Sequence, residues 1–506
     1  MSAGVIIGFV LIVVLMIGVG YYSGRSVRNA EDFITSGGKA NSFMVLGAIL
    51  GSLVGSQATI GTAQLAFNYG ISACWFTLGA GIGCVFLGVL YAKRLRQSGC
   101  VTEMQIISKE YGPVTGSVGS VLGSLGIFFS VLAQTAACLS LTKTFFPGIP
   151  TAAALVIGVV LMTFWVIFGG NQGAGLGGFL KMILLCLTAF IAFVFIENKT
   201  GGLDSLIKSI YALFTGTPLG DVQSSTGLSR ITDYSDLSSR FLSVVARGPM
   251  KDIGSGLSLL LGVLCTQTYA QAIWSAKSDK AARRGALMCA VATPFIGACC
   301  ICIGLFMRSN YLLQSEVNAL AAAGQNIPDM PVLSGTIQVF PTFVLSYMPP
   351  IVSGMMLGTM LINVVASGAG LSLGMATILT KDIYKKITKK PDDPGRELRA
   401  VRIMIVFILA ATAGITLLVS NTAINDLGFL SMGLRGTVVF LPLTFALWMP
   451  GKTDRRFILA SMIAAPLGVI AAQIAGTKID SLFVGMFISL AICLMGWLHK
   501  NMTERR

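Results

Sequence analysis

The sequence predicts an all-α integral membrane protein of about 13 transmembrane helices, arranged as a 5+5 inverted repeat with broken helices at spans 2 and 7. Three observations predict it. The 506 residues are 54% hydrophobic and 11% charged, with mean hydropathy +0.80, whereas soluble domains carry about 25% charged residues. Apolar runs of about 20 residues recur along the whole chain, which is the length of a spanning helix and not of a barrel strand. Two of those runs hold glycines and small polar residues at their centres, where irregular backbone survives only against protein or a water-filled cavity.

In order, the predicted spans run approximately 4–23, 44–69, 73–92, 116–142, 150–169, 176–196, 254–276, 282–307, 348–380, 398–419, 426–448, 456–475 and 480–498. The first has no basic residue before it and no A-x-A site after it, so it is expected to stay as a span and not be cleaved as a signal. The second carries Gly51-Ser52-Leu53-Val54-Gly55-Ser56-Gln57-Ala58-Thr59-Ile60-Gly61-Thr62 at its middle. Either the helix breaks there and turns free N–H and C=O groups toward a ligand, or it packs closely through its glycines. The seventh places Thr266, Gln267, Thr268 and Gln271 inside an apolar run, and its Leu261-Gly-Val-Leu264-x-x-Gln267 echoes Leu50-Gly-Ser-Leu53…Gln57. Spans 2–6 and 7–11 therefore pair as two halves with an odd number of helices each, which insert in opposite orientations. The corresponding divisions are 1–40 (first span and loop), 41–200 (first repeat), 201–251 (outer loop), 252–450 (second repeat) and 451–506 (last two spans and tail). Leu203–Phe214 has the spacing of a helix lying on the membrane surface, and Lys381–Arg402 reads as a charged linker.

Loop charges set the orientation. With the N-terminus outside, basic clusters such as Lys93, Arg94 and Arg96, or Lys277, Lys280, Arg283 and Arg284, face the cytoplasm, and the C-terminus lies inside with Arg505 and Arg506. The net charge of +15 is thus a topology signal in a multi-pass cell-membrane protein, not a nucleic-acid footprint. The 11 cysteines and single histidine (His499) form no metal pattern, and the cysteines read as small packing residues. No constellation for acid–base or nucleophilic catalysis exists, so no enzyme, organic cofactor or obligatory protein partner is expected.

Thr266-Gln267-Thr-Tyr-Ala-Gln271-Ala-Ile-Trp-Ser275-Ala276-Lys277-Ser278 resembles the signature at the end of the seventh span in the sodium:solute symporter family. Val101-Thr-Glu103-Met…Tyr111-Gly112, Ala376-Thr-Ile-Leu-Thr380-Lys-Asp382-Ile-Tyr384-Lys385 and the segment 54–70 resemble three further stretches of it. The resemblance covers the whole chain in order. It implies the LeuT-type five-plus-five fold and import of a small organic solute on an ion gradient. It also implies a sodium site made by the carbonyls of Gly51 and Val54 with Asn363 and Ser367. Here the chain departs from the pattern, because Ala366 stands where many members carry a hydroxyl.

A second departure lies in span 6, where many members have an Asp one turn before a Gln. Those positions are Gly178 and Lys181 here. A lysine at the centre of a membrane helix costs ~3 kcal/mol on insertion scales and is functional by default. Lys181 either snorkels to the cytoplasmic face or points inward to occupy or border the sodium site, where an amine can carry a proton in place of sodium. The coupling ion is therefore Na+ by resemblance, with H+ as the alternative.

The cavity is expected between spans 2, 4, 7 and 11, with Gln57, Thr59, Thr62, Gln134, Thr266, Gln267 and Gln271 as polar contacts and Trp75 as a wall. Each of these side chains can equally bond only a neighbouring helix. No acidic side chain lies in the interior of these helices, which disfavours cationic cargo. Resemblance places the aromatic gate of the sugar-carrying branch near Gly262, where nothing can stack. A helix N-terminus cradles a carboxylate, so a monocarboxylate or an amino acid is the expected cargo; Arg435 in span 11 either assists that anion or is a structural arginine bonded to carbonyls near the outer half. The competing classes are an ion channel, which needs a continuous pore, and a transporter-like sensor, for which no output domain is expected after span 13.

Overall fold

In the computed structural model the described residues are 2–24, 30–146, 148–220, 231, 233–388, 394–418, 424–475 and 480–504. Among them the chain is mostly helical, and its one named pair of strands is parallel and two residues long, Leu312–Leu313 beside Val332–Leu333. Nine described helices are long and apolar enough to cross a membrane, or ten if the bent pair Pro249–Leu264 and Gln267–Ser275 is one span. Three shorter apolar helices cover Ala3–Val19, Ser42–Leu53 and Thr151–Ile167. The first predicted span is one continuous helix of 22 residues, Ala3–Gly24. The second is interrupted after Leu53, and Gln57–Gln97 runs on through the tight turn Gly70–Ala73 from the second predicted span into the third.

Helix Ser42–Leu53 begins at Asn41, whose side chain accepts the Met44 N–H. It stops where glycine and serine crowd the sequence, both weaker helix formers than alanine. Val54 leaves helical geometry (φ −87°, ψ 84°), and a wide coil, Gln57–Gly61, leads into helix Thr62–Tyr69. Helix Pro249–Leu264 stops in the same way: Thr266 is extended and helix Gln267–Ser275 sets off at 44°.

Glycine decides how closely the bundle packs. A Cβ on Gly178 would lie 2.0 Å from the Gly47 carbonyl oxygen, and one on Gly47 would lie 2.0 Å from the Gly175 oxygen. Spans 2 and 6 thus touch backbone to backbone. Gly178→Ala is expected to destabilise the protein by about 1–3 kcal/mol through over-packing. A thermal melt in detergent that superimposes on the unmutated protein would show that this contact is not made.

Helix Pro350–Ile378 is the central post. It is buried from Met356 to Ile378, and a Cβ on Gly370 or Gly374 would collide with Ser52 Oγ or Thr268 Oγ1 at 2.1 and 2.2 Å. Its glycines therefore let it lie against both interrupted helices at once. Within Thr151–Thr200 the chain turns at Gly170 (φ +50°), where a side chain would meet the Phe33 carbonyl. On the side of the basic loops, Ala40 donates its N–H to Ser275 O (2.9 Å) and accepts from Lys277 N–H (2.8 Å). This bridge ties the entry of the second span to the exit of the seventh.

Candidate functional site

Ending a helix at Leu53 leaves carbonyls of its last turn without helical N–H partners. Gly51 O is one of them, and the Lys181 ammonium meets it at 2.7 Å. The same Nζ donates to Asn363 O at 3.0 Å and to Ser367 Oγ at 2.8 Å. Ser367 Oγ lies within hydrogen-bonding distance of the carbonyls of Gly51 (3.0 Å) and Val54 (3.3 Å). Lys181 is 1% exposed, so it does not snorkel. The Gly178–Gly47 contact one turn earlier presses span 6 against span 2 and directs the long side chain into the break. The five positions named from the sequence, Gly51, Val54, Asn363, Ser367 and Lys181, converge on one point, and the partners of the ammonium are three neutral oxygens. Ala366 is buried beside them and adds no side-chain oxygen.

A second cluster fills the same break. Gln134 Nε2 donates to Gln57 Oε1 (3.2 Å), and Gln134 Oε1 accepts the Ser56 N–H (3.0 Å). Asn363 Nδ2 donates to Thr59 Oγ1 (3.2 Å), while the Thr62 hydroxyl donates to Gln57 O (3.3 Å). Gln57 Nε2 and Asn363 Oδ1 are buried with no partner among the described residues. Such atoms cost about 1–3 kcal/mol each when left unsatisfied, and a polar ligand at the break would bond them. Gln57, Thr59, Thr62 and Gln134 are thus brought together.

The other expected cargo contacts are engaged elsewhere in this arrangement. Gln267 donates from Nε2 to Val101 O (2.8 Å) and accepts the Glu103 N–H at Oε1 (3.1 Å). Gln271 donates to Ile34 O, and Trp75 Nε1 donates to Val244 O (2.6 Å). These three fasten loops to the bundle. Thr266 accepts from Arg435 Nη1 (2.6 Å), whose Nη2 reaches Ser130 Oγ (2.9 Å) and Ser431 Oγ (2.8 Å). The Arg435 guanidinium is wholly buried at the break in span 7, held by these hydroxyls and by the Ser431 carbonyl (3.1 Å), and not by a bonded carboxylate. Ser130 and Ser431 are not among the positions expected from the sequence. Ser130 was detectable, since it stands one turn before Gln134 on the same face of span 4. A cavity of about 320 Å³ lies farther along span 7, lined by Arg247, Lys251, Ser258, Phe429 and Asp480 among others, and by none of the expected cargo contacts.

The fold is that of a Na+-coupled sialic acid symporter solved substrate-bound in an outward-open state. The two agree with a TM-score of 0.77 over 99% of this chain and 98% of that one, at 16% identity. At the level of sequence, the model of the sodium:solute symporter family matches residues 33–465. With that match over most of its length, this multi-pass membrane protein belongs to the sodium:solute symporter family.

Proposed function

We propose that this protein is a secondary symporter of the cell membrane that imports a small carboxylate-bearing solute, a monocarboxylate or an amino acid, by alternating access. The reading takes thirteen spans, the N-terminus outside and the C-terminus in the cytoplasm. The observation that carries it is the meeting of two interrupted helices on one central helix, with freed carbonyls and unsatisfied amide atoms at the break. This is the form in which inverted-repeat transporters hold ions and cargo at mid-membrane. The buried, cationic Arg435 beside the second break supports an acidic cargo, with Gln57, Thr59, Thr62 and Gln134 as its neutral contacts. Gln267, Gln271 and Trp75 would join them only in another state of the cycle.

Family membership supports sodium as the driving ion. A second reading is favoured by one observation: the Lys181 ammonium lies on oxygens of Gly51, Asn363 and Ser367. A sodium ion and an ammonium exclude each other there, so sodium binds these atoms only when Lys181 withdraws. Otherwise the amine itself carries the coupled charge as a proton. Proteoliposomes separate the readings. Labelled acetate, lactate, alanine and proline are offered under a sodium gradient at equal pH, then under a pH gradient without sodium. Accumulation above the equilibrated level identifies the driving ion. Equilibration without accumulation under either gradient would remove the symporter reading and favour a channel.

A further inference from the structure

Glu103 opens helix Glu103–Tyr111, on the loop after the third predicted span, and is 1% exposed. Neither of its carboxyl oxygens has a partner among the described residues. A bare buried carboxylate costs several kcal/mol, so the neutral acid is the form that fits this packing. Burial pushes the carboxyl up to about 8, against the opposing pull of Arg435. The other titratable groups that act on it or sit beside it come from three further elements. They are Tyr91 of span 3, Cys265 at the break of span 7, and Asp382 at the exit of span 9, which Thr102 Oγ1 holds at 2.9 and 3.1 Å.

Glu103 is also mechanically linked to the transport machinery. Gln267, the first residue of the second half of span 7, grips the chain on both sides of Thr102, through Val101 O and Glu103 N–H. Movement of that half-helix therefore moves Glu103 relative to Arg435, whose own hydrogen bonds reach no carboxylate here.

We propose that Glu103 is a proton-binding site of the transport cycle, separate from Lys181. The acid is protonated while the second half of span 7 is packed as seen here. When that half-helix swings, the O–H bond breaks, the proton passes to water, and the carboxylate pairs with the Arg435 guanidinium. The inference rests on the chain being a transporter, but not on which ion meets the oxygens around Lys181.

The test uses the full chain in lipid and two variants at position 103. Infrared difference spectra are expected to show a protonated-carboxyl band at neutral pH that fades around pH 8 and is missing in Glu103→Gln. Counterflow of labelled acetate, lactate, alanine and proline is expected to fall about tenfold between pH 7 and 9, as one group titrating near 8 dictates. It stays flat in Glu103→Gln and keeps its slope in Glu103→Asp. Stability gives an independent sign. Between 4.5 and about 8 the folded chain binds this proton and the unfolded chain does not. The stability of the unmutated protein therefore falls as pH rises through that window, while that of Glu103→Gln does not. A Glu103→Gln variant with an unchanged band, or with the same alkaline fall in counterflow, would overturn the proposal. Counterflow of none of the four solutes, with the band intact, would instead sink the transporter reading and the cycle role with it.

Discussion

Lys181→Ala abolishes gradient-driven accumulation, on the order of 100-fold, while leaving cargo exchange measurable. The reasoning starts from three hydrogen bonds made by one ammonium, to Gly51 O, Asn363 O and Ser367 Oγ. Hydrogen bonds to charged groups contribute roughly 1.5–3 kcal/mol each, and every 1.4 kcal/mol is tenfold. Losing even part of this set between two states of the carrier therefore removes the bias that drives accumulation. Lys181→Arg does not restore it, because a guanidinium is larger and stays protonated at all accessible pH. The alanine variant also frees the oxygens that family resemblance assigns to sodium. Adding Ala366→Ser supplies the hydroxyl that the chain lacks, and sodium-driven uptake, lost in Lys181→Ala alone, is expected to reappear in the double variant. Uptake of labelled solute in proteoliposomes is the measurement. Full accumulation by Lys181→Ala under the native gradient would show the lysine to be a packing residue.

Arg435→Ala is the second large effect, and it falls on recognition. A buried charge pair that loses one partner costs about 2–5 kcal/mol, so the affinity for an acidic cargo drops roughly 30-fold or more. Arg435→Lys recovers part of this, since it keeps the charge but not the planar fork. The specific signature is discrimination. The unmutated protein is expected to bind a carboxylate in preference to its amide, and Arg435→Ala to lose that preference. Ligand-induced shifts in melting temperature read it directly, because binding stabilises by mass action. If the acid-to-amide preference survives in Arg435→Ala, the guanidinium only joins spans 4, 7 and 11 through Ser130, Thr266 and Ser431.

Most of the architecture was legible because the lipid leaves few options for backbone. Where Gly51 to Thr62 dilute an apolar run, the structure ends one helix at Leu53 and resumes at Gln57. Where Thr266 and Gln267 interrupt another, it bends by 44°. The direction of Lys181 was not legible. Its distance from the end of span 6 allowed snorkelling, and only the contact of Gly178 with the Gly47 backbone decides against it. The fate of Gln267, Gln271 and Trp75 was hidden for a different reason. Their partners are main-chain carbonyls of Val101 and Val244 in loops and of Ile34 in the short helix Ala30–Thr35, and main-chain carbonyls have no identity in a sequence. Glu103 was visible only as a letter of a family motif, since its burial depends on how Gln267 draws its loop under the bundle.

The bridge at Ala40 has a consequence for the route out. Its two short bonds to Ser275 and Lys277 yoke the feet of the two hinged rods, so those feet swing together and cannot part to make a doorway. On the proposed transport cycle, the contact expected to open instead is the Thr102–Asp382 pair, which ties the loop after the third span to the exit of the ninth.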